Sequence, residues 1–217
     1  MHFAGANGHA KIIRRLLVKG ADRSLLDKRR RTAFFVAAAH GQLGALKALT
    51  TRSGKELNQP ADGGLTPLGM AVFKGHGAVV DYLLSIGADV ERPTDEGKAP
   101  MHLAAEMGHL PTVKSLLSHG ADVNVVTKNG VTPFYVACAF GHLETVAFLH
   151  SVGCNTRMAS RLGWTPLHVA AANGHMEVVK YLVRVVGLDS EKETGLGGKP
   201  ISLAFNNGHE DVINFLA

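Results

Sequence analysis

Apolar positions along the chain come in two alternating kinds of cluster. One is short and rich in small residues, as in Leu167-His168-Val169-Ala170-Ala171-Ala172. The other is one-sided: Val178, Val179, Leu182 and Val183 fall at the steps that line one face of a helix. The one-sided pattern returns as Val113, Leu116 and Leu117, and as Val79, Val80, Leu83 and Leu84. Polar punctuation separates the clusters. Thr165-Pro166 opens the short one: the hydroxyl can cap a helix, and Pro loses nothing at the first helical position, where an N–H would be unpaired anyway. Gly174 closes it, because glycine tolerates the left-handed conformation at a helix end. The pattern predicts a short helix from Thr165, a second from Met176 to about Val185, and then an extended segment with a turn. Asp62-Gly63-Gly64 and Lys128-Asn129-Gly130 carry the turn chemistry of that segment.

The punctuation is periodic. Gly-His stands at Gly8, Gly75, Gly108, Gly141, Gly174 and Gly208, and Gly41-Gln42 fills the remaining place. These glycines step by 33, 34, 33, 33, 33 and 34 residues. Nine residues earlier comes Thr32-Ala33, Thr66-Pro67, Ala99-Pro100, Thr132-Pro133, Thr165-Pro166 or Lys199-Pro200. Twelve residues later comes Gly20-Ala21-Asp22, Gly87-Ala88-Asp89, Gly120-Ala121-Asp122 or Gly153-Cys154-Asn155. One supersecondary unit repeated at this period, too short to bury its own apolar face, reads as a stacked array.

Gly163-Trp164-Thr165-Pro166-Leu167-His168-Val169-Ala170-Ala171, followed by Gly174-His175, resembles the ankyrin repeat. The resemblance covers the whole chain. It is strongest at Thr165, good at Thr66, Ala99 and Thr132, and weaker at Thr32 and Lys199, where Phe35 and Ser202 replace the motif His. It implies an all-α, ankyrin-repeat solenoid of stacked helix-turn-helix units with protruding β-turn fingers. A single array over 1–217 is expected. Its parts are a partial repeat 1–26, repeats 27–60, 61–93, 94–126, 127–159 and 160–193, and a partial repeat 194–217. Small residues at Ala71, Ala104, Ala137, Ala170 and Ala204 would let adjacent short helices approach closely. The phase puts His2 inside a repeat and Ala217 inside a second helix, so the chain is expected to be a piece of a longer array or of a larger protein.

Composition narrows the role. Of 217 residues, 46% are hydrophobic and 19% charged, which suits a packed core rather than a disordered chain. No apolar run approaches a membrane span, and the N-terminus lacks the pattern of a signal peptide. The formal charge of +5 is small and, taken over the chain as a whole, dispersed; nucleic acid is not the expected partner. Cys138 and Cys154 stand in alanine columns and read as small buried thiols of a reducing compartment, cytosol or nucleus. A monomer is expected.

Chemistry beyond binding finds little support. Six of the twelve histidines are the Gly-His positions, set on different turns of the stack, and form no metal cluster. His102 and His168 occupy the motif place, and His40, His119 and His150 are scattered. Gly195-Leu196-Gly197-Gly198-Lys199-Pro200 fails as a phosphate loop, since Glu193 stands where the first glycine belongs and Pro200 replaces Ser or Thr. No catalytic residue, metal or cofactor is expected.

Ankyrin arrays bind through the turn tips and the exposed side of the first helix, so the resemblance implies partner contacts there, in a concave groove. The expected contact residues are Leu65, Val131 and Trp164 before the motif Thr, and Phe73, Lys74, Met107 and Phe140 before the helix-ending Gly. Lys28, Arg29 and Arg31 join them on the first turn. Apolar and aromatic side chains at exposed positions are what interface cores favour. The expected function is a non-catalytic protein-interaction module holding a partner protein or extended peptide. Alternatives are a regulatory or targeting arm of a larger enzyme or channel, and a phosphate- or nucleotide-sensing array using Lys28, Arg29 and Arg31, with Trp164 as a stacking surface.

Overall fold

Thr165 begins its helix by a reciprocal exchange. Its hydroxyl oxygen accepts the His168 N–H at 3.4 Å, and its own N–H reaches His168 Nδ1 at 3.2 Å. Thr32, Thr66 and Thr132 accept the N–H three residues on, from Phe35, Gly69 and Tyr135. Such caps contribute about 1 kcal/mol each. Ala99 has no hydroxyl, but its N–H donates to His102 Nδ1. Lys199 starts its helix without a side-chain cap. Pro67, Pro133, Pro166 and Pro200 each open their helix at its first turn.

The computed structural model describes residues 1–51 and 54–217. Among them every regular element is helical and no strand occurs. The helices, in chain order, are α1 His2–Ala6, α2 Ala10–Val18, α3 Ala33–Ala39, α4 Leu43–Leu49, α5 Pro67–Phe73, α6 Gly77–Ser85 and α7 Pro100–Glu106. They continue as α8 Leu110–Ser118, α9 Pro133–Ala139, α10 Leu143–Ser151, α11 Pro166–Ala172, α12 Met176–Arg184, α13 Pro200–Asn206 and α14 Glu210–Leu216. None is long and apolar enough to cross a membrane.

The chain divides into two compact units. The first comprises Met1–Leu103 with Lys114–Ala121, and the second Ala104–Val113 with Asp122–Ala217. In the first unit, first helices pack in series as α1 on α3 and α3 on α5, and second helices as α2 on α4 and α4 on α6. The second unit repeats the scheme with α9 on α11, α11 on α13, α10 on α12 and α12 on α14. Phe34, Phe35, Leu46, Leu49, Leu68 and Leu83 are fully buried in the first unit, and Phe134, Leu149 and Leu167 in the second. Ala71, Ala137, Ala170 and Ala204 have no exposed surface. Gly5 shows why the seam needs small residues: a Cβ there would meet the Ala33 carbonyl oxygen at 2.8 Å.

Four corners between helices are locked by the histidine one repeat on, whereas at Gly8 the place is taken by Gln42. His76 Nε2 bonds the Ala39 carbonyl at 3.1 Å in the first unit. In the second, His142, His175 and His209 bond the carbonyls of Glu106, Ala139 and Ala172 at 2.8 to 3.0 Å. The same rings lie over Gly41, Gly108, Gly141 and Gly174, where a Cβ would come within 2.5 to 2.8 Å. Those glycines also have φ between 65 and 74°, so both conformation and space demand glycine.

Candidate functional site

A five-residue turn, here called a finger, precedes each capped helix. Its first residue donates its N–H to the carbonyl of its fifth: Asp27 to Arg31, Thr94 to Lys98, Thr127 to Val131, Ser160 to Trp164 and Thr194 to Gly198, at 2.9 to 3.0 Å. Where the first side chain carries an oxygen it closes the turn by accepting the fifth N–H, as Thr127 Oγ1 does from Val131 and Ser160 Oγ from Trp164, whereas Ala61 offers none. The fourth residue is left-handed: Gly64, Gly97, Gly130, Gly163 and Gly197, with Arg30 at φ 56° in the first finger. Successive fingers are joined by single backbone bonds, Asp62 N–H to Arg29 O and Asp95 N–H to Gly63 O in the first unit. Arg161 N–H to Asn129 O and Gly195 N–H to Leu162 O do the same in the second.

This closure explains the half-burial of Leu65, Val131 and Trp164, which the sequence pattern placed on an open column. Each is the fifth finger residue, held at both its N–H and its carbonyl or by its carbonyl alone, and the Leu65 side chain lies back on the helix that follows. Leu65 Cδ1 would be 3.0 Å from a Cβ on Gly69. Phe73 is also half-buried, with the exposed Lys74 ammonium 5.4 Å from its ring centre. The column before the helix-ending glycine is the open one. Met107 is 38% exposed and Phe140 51%.

His142 links the repeats that carry Met107 and Phe140. Its Nε2 bonds the Glu106 carbonyl beside Met107, while its ring stacks with Phe140 at 6.4 Å between centroids and 6° between planes. Asn173, exposed in the next repeat, donates its amide to the Ala139 carbonyl at 2.8 Å. The second unit therefore presents Met107 and Phe140 at equivalent ends of successive first helices, with the polar Asn173 in the same place of the next repeat.

The first finger differs in chemistry. Asp27 replaces the closing hydroxyl: its carboxylate accepts the N–H groups of Arg29 and Arg31, both at 2.9 Å, and pairs with the Arg31 guanidinium at 2.7 Å. The Arg31 hydrogen bond holds the Asp27 carboxyl down at about 2. Arg31, expected as a free contact, is thus half-buried and engaged in closing the turn. Lys28 and Arg29 are exposed. Arg30, exposed beside them, is a residue the motif pattern passed over; the signal was the glycine column at Gly64, Gly97, Gly130, Gly163 and Gly197, which Arg30 interrupts.

Other chemistry is tied up in the fold. The N–H groups of Gly195, Leu196, Gly197 and Gly198 donate to Leu162 O, Thr194 Oγ1 and Thr194 O, so the glycine-rich turn has no amides to offer a phosphate. His168 is buried, its Nε2 bonded to the Gly198 carbonyl at 3.0 Å, and burial lowers its pKa. Cys138 and Cys154 are buried free thiols; burial pushes Cys154 up to about 12 and Cys138 well above its ordinary value. Among the described residues no group of three His, Cys, Asp or Glu side chains could hold a metal ion.

Capped helix pairs in tandem, joined by fingers and by a histidine that reaches back one repeat, define a helical-repeat protein whose variable surface lies at the fingers and first-helix ends. The family model for ankyrin repeats in three copies matches residues 1–94 and 144–217, and that for ankyrin repeats in many copies matches residues 87–150. The chain belongs to the ankyrin-repeat family. It is similar to the crystal structure of the human ASB11 ankyrin repeat domain, with a TM-score of 0.84 and 27% identity over 100% of this chain and 96% of that one. No curated protein matches it. Ankyrin repeats are generally protein–protein interaction modules and are typically non-catalytic.

Proposed function

We propose that the chain is a non-catalytic interaction module that holds a partner protein or an extended peptide against the first-helix ends of its second unit. The observation that carries this reading is the exposure of Met107 and Phe140 in equivalent places of successive repeats, with His142 bonded to the Glu106 carbonyl and stacked with Phe140. An exposed apolar pair on a rigid backbone costs little to order on binding, and Met and Phe are favoured in interface cores. Val131 and Trp164, half-buried on the fingers, border the same unit's surface and supply secondary contacts. Lys74 and Leu65 occupy the corresponding places in the first unit, with Phe73 one residue before Lys74.

The test compares partners captured from lysate by the wild-type chain and by a Met107→Ser/Phe140→Ser variant. Circular dichroism and thermal unfolding first establish that the variant is folded. The expected result is a protein retained by the wild type and lost with the variant, its direct binding then repeated with the purified partner. Unchanged capture by the folded variant defeats this placement of the site.

A further inference from the structure

We propose that the first finger, Asp27 to Arg31, docks an acidic protein segment, setting a carboxylate of that segment against Arg29 and an apolar side chain in the cleft beside it. This deepens the interaction-module reading and rests on it. The first observation is electrostatic. Residues 1–31 hold nine Lys and Arg against two Asp, a formal +7, whereas the rest of the chain holds fourteen basic and sixteen acidic residues, a formal −2. The whole-chain charge of +5 hides this separation. A concentrated positive field attracts and orients an acidic partner before contact.

The second observation is conformational. Arg30, at φ 56°, is the only left-handed non-glycine among the described residues. A Cβ is disfavoured in that backbone, and the equivalent fingers use glycine. The finger therefore keeps a cation where its own turn would favour none, and strain of this kind concentrates at binding sites. Lys28, Arg29 and Arg30 are all exposed, and among the described residues none has an ion-pair partner.

The third observation selects the ligand. A cleft of about 360 Å³ beside the finger is lined by Arg29, Arg31, Phe35, Asp62, Leu65 and Met70. Leu65 and Met70, both half-buried, make an apolar wall with the buried Phe35 behind them, suited to a hydrocarbon side chain. Arg31 is already paired with Asp27, leaving Arg29 as the free guanidinium there. Asp62 on the same cleft repels a dianion twice as strongly as a monoanion. A carboxylate flanked by an apolar residue pairs with Arg29 and fills the apolar wall, and it meets about half the repulsion from Asp62 that a phosphate dianion would.

The full chain is titrated, by fluorescence anisotropy at low salt, into a short labelled peptide alternating glutamate and leucine. Two further peptides carry glutamine or phosphoserine in place of glutamate. The glutamate peptide binds, the glutamine peptide binds about tenfold more weakly, and Lys28→Glu/Arg29→Glu costs about tenfold or more, as for reversed charges at an interface. Arg30→Gly weakens binding about threefold, as loss of one rim charge does, without lowering the unfolding temperature. Met107→Ser/Phe140→Ser leaves this binding unchanged. The proposal is overturned if the wild type does not bind, if glutamine serves as well, or if charge reversal in a folded chain has no effect. Tighter binding of the phosphoserine peptide by more than about tenfold, the reach of a bidentate arginine contact, also overturns it, because the site is then a phosphate site. Loss of the acidic peptide with Lys28→Glu/Arg29→Glu but no effect of Met107→Ser/Phe140→Ser on a captured partner sinks the second-unit site alone. The reverse pattern sinks the finger alone.

Discussion

Gly130 and Gly141 have nearly the same backbone, φ 75° and 74°, yet they live under different rules. Gly130 sits in a finger, where the nearest atom to an added Cβ is 3.7 Å away on the flexible Arg161 side chain or backbone. Gly141 sits at a corner, where the His175 ring would be 2.5 Å from that Cβ. At the corner, conformation and packing both exclude other residues. At this finger only conformation does. Where the next finger's backbone comes close, as at Gly64 and Gly163, the finger is again restricted, with contacts of 2.7 to 2.8 Å. Sequence freedom thus follows the approach of a neighbouring chain segment, and the first finger carries Arg30 in the same left-handed place.

The sharpest break of this comparison is Gly141→Ala. Left-handed strain and displacement of the His175 ring together are expected to cost about 2–4 kcal/mol, measured by urea unfolding. A loss no greater than that of Gly130→Ala would show that the ring moves aside freely and that the two glycines are equivalent. Asp27→Ala removes the carboxylate that closes the first finger and is expected to cost about 1–2 kcal/mol at neutral pH. Because the folded carboxyl sits at about 2, below its unfolded value, its contribution is present above pH about 4 and is lost as pH falls towards 2. The difference between wild type and variant should therefore shrink across that acid window. A difference that stays constant with pH would remove the carboxylate from the account of the turn.

Gly130→Ala is expected to cost about 1 kcal/mol, since the left-handed penalty is partly offset by a less flexible unfolded chain. The smallest effect has the opposite sign. Arg30→Gly relieves strain but adds unfolded-state freedom, for a net gain of about 0.5 kcal/mol in chemical unfolding. A clear loss of stability would mean that Arg30 makes a stabilising contact and that its retention needs no partner.

The helix starts were legible because they are local: Thr132 and Thr165 cap with their own hydroxyls, and each proline fits the first turn. The corner glycines were legible from the period. Exposure was less so, because it depends on which groups the finger closes. Trp164 and Leu65 share a place that looks open in sequence, yet both are half-buried where their backbone closes the finger. Arg31 reads as one more cation until Asp27 is placed 2.7 Å from it. The basic first finger was visible as a run, whereas its strain required a backbone angle, and its electrostatic isolation required the charge to be counted by region rather than by chain.

The histidine lock also has a direction in time. His76 is 37 residues beyond the carbonyl it bonds, and His142, His175 and His209 are 36 or 37 beyond theirs. Every seat therefore leaves the ribosome before the ring that fills it. A nascent repeat waits with its corner carbonyl open until the next repeat has emerged, so completion travels from the N-terminus toward the C-terminus. Each new repeat finishes its predecessor and leaves its own corner for its successor to close.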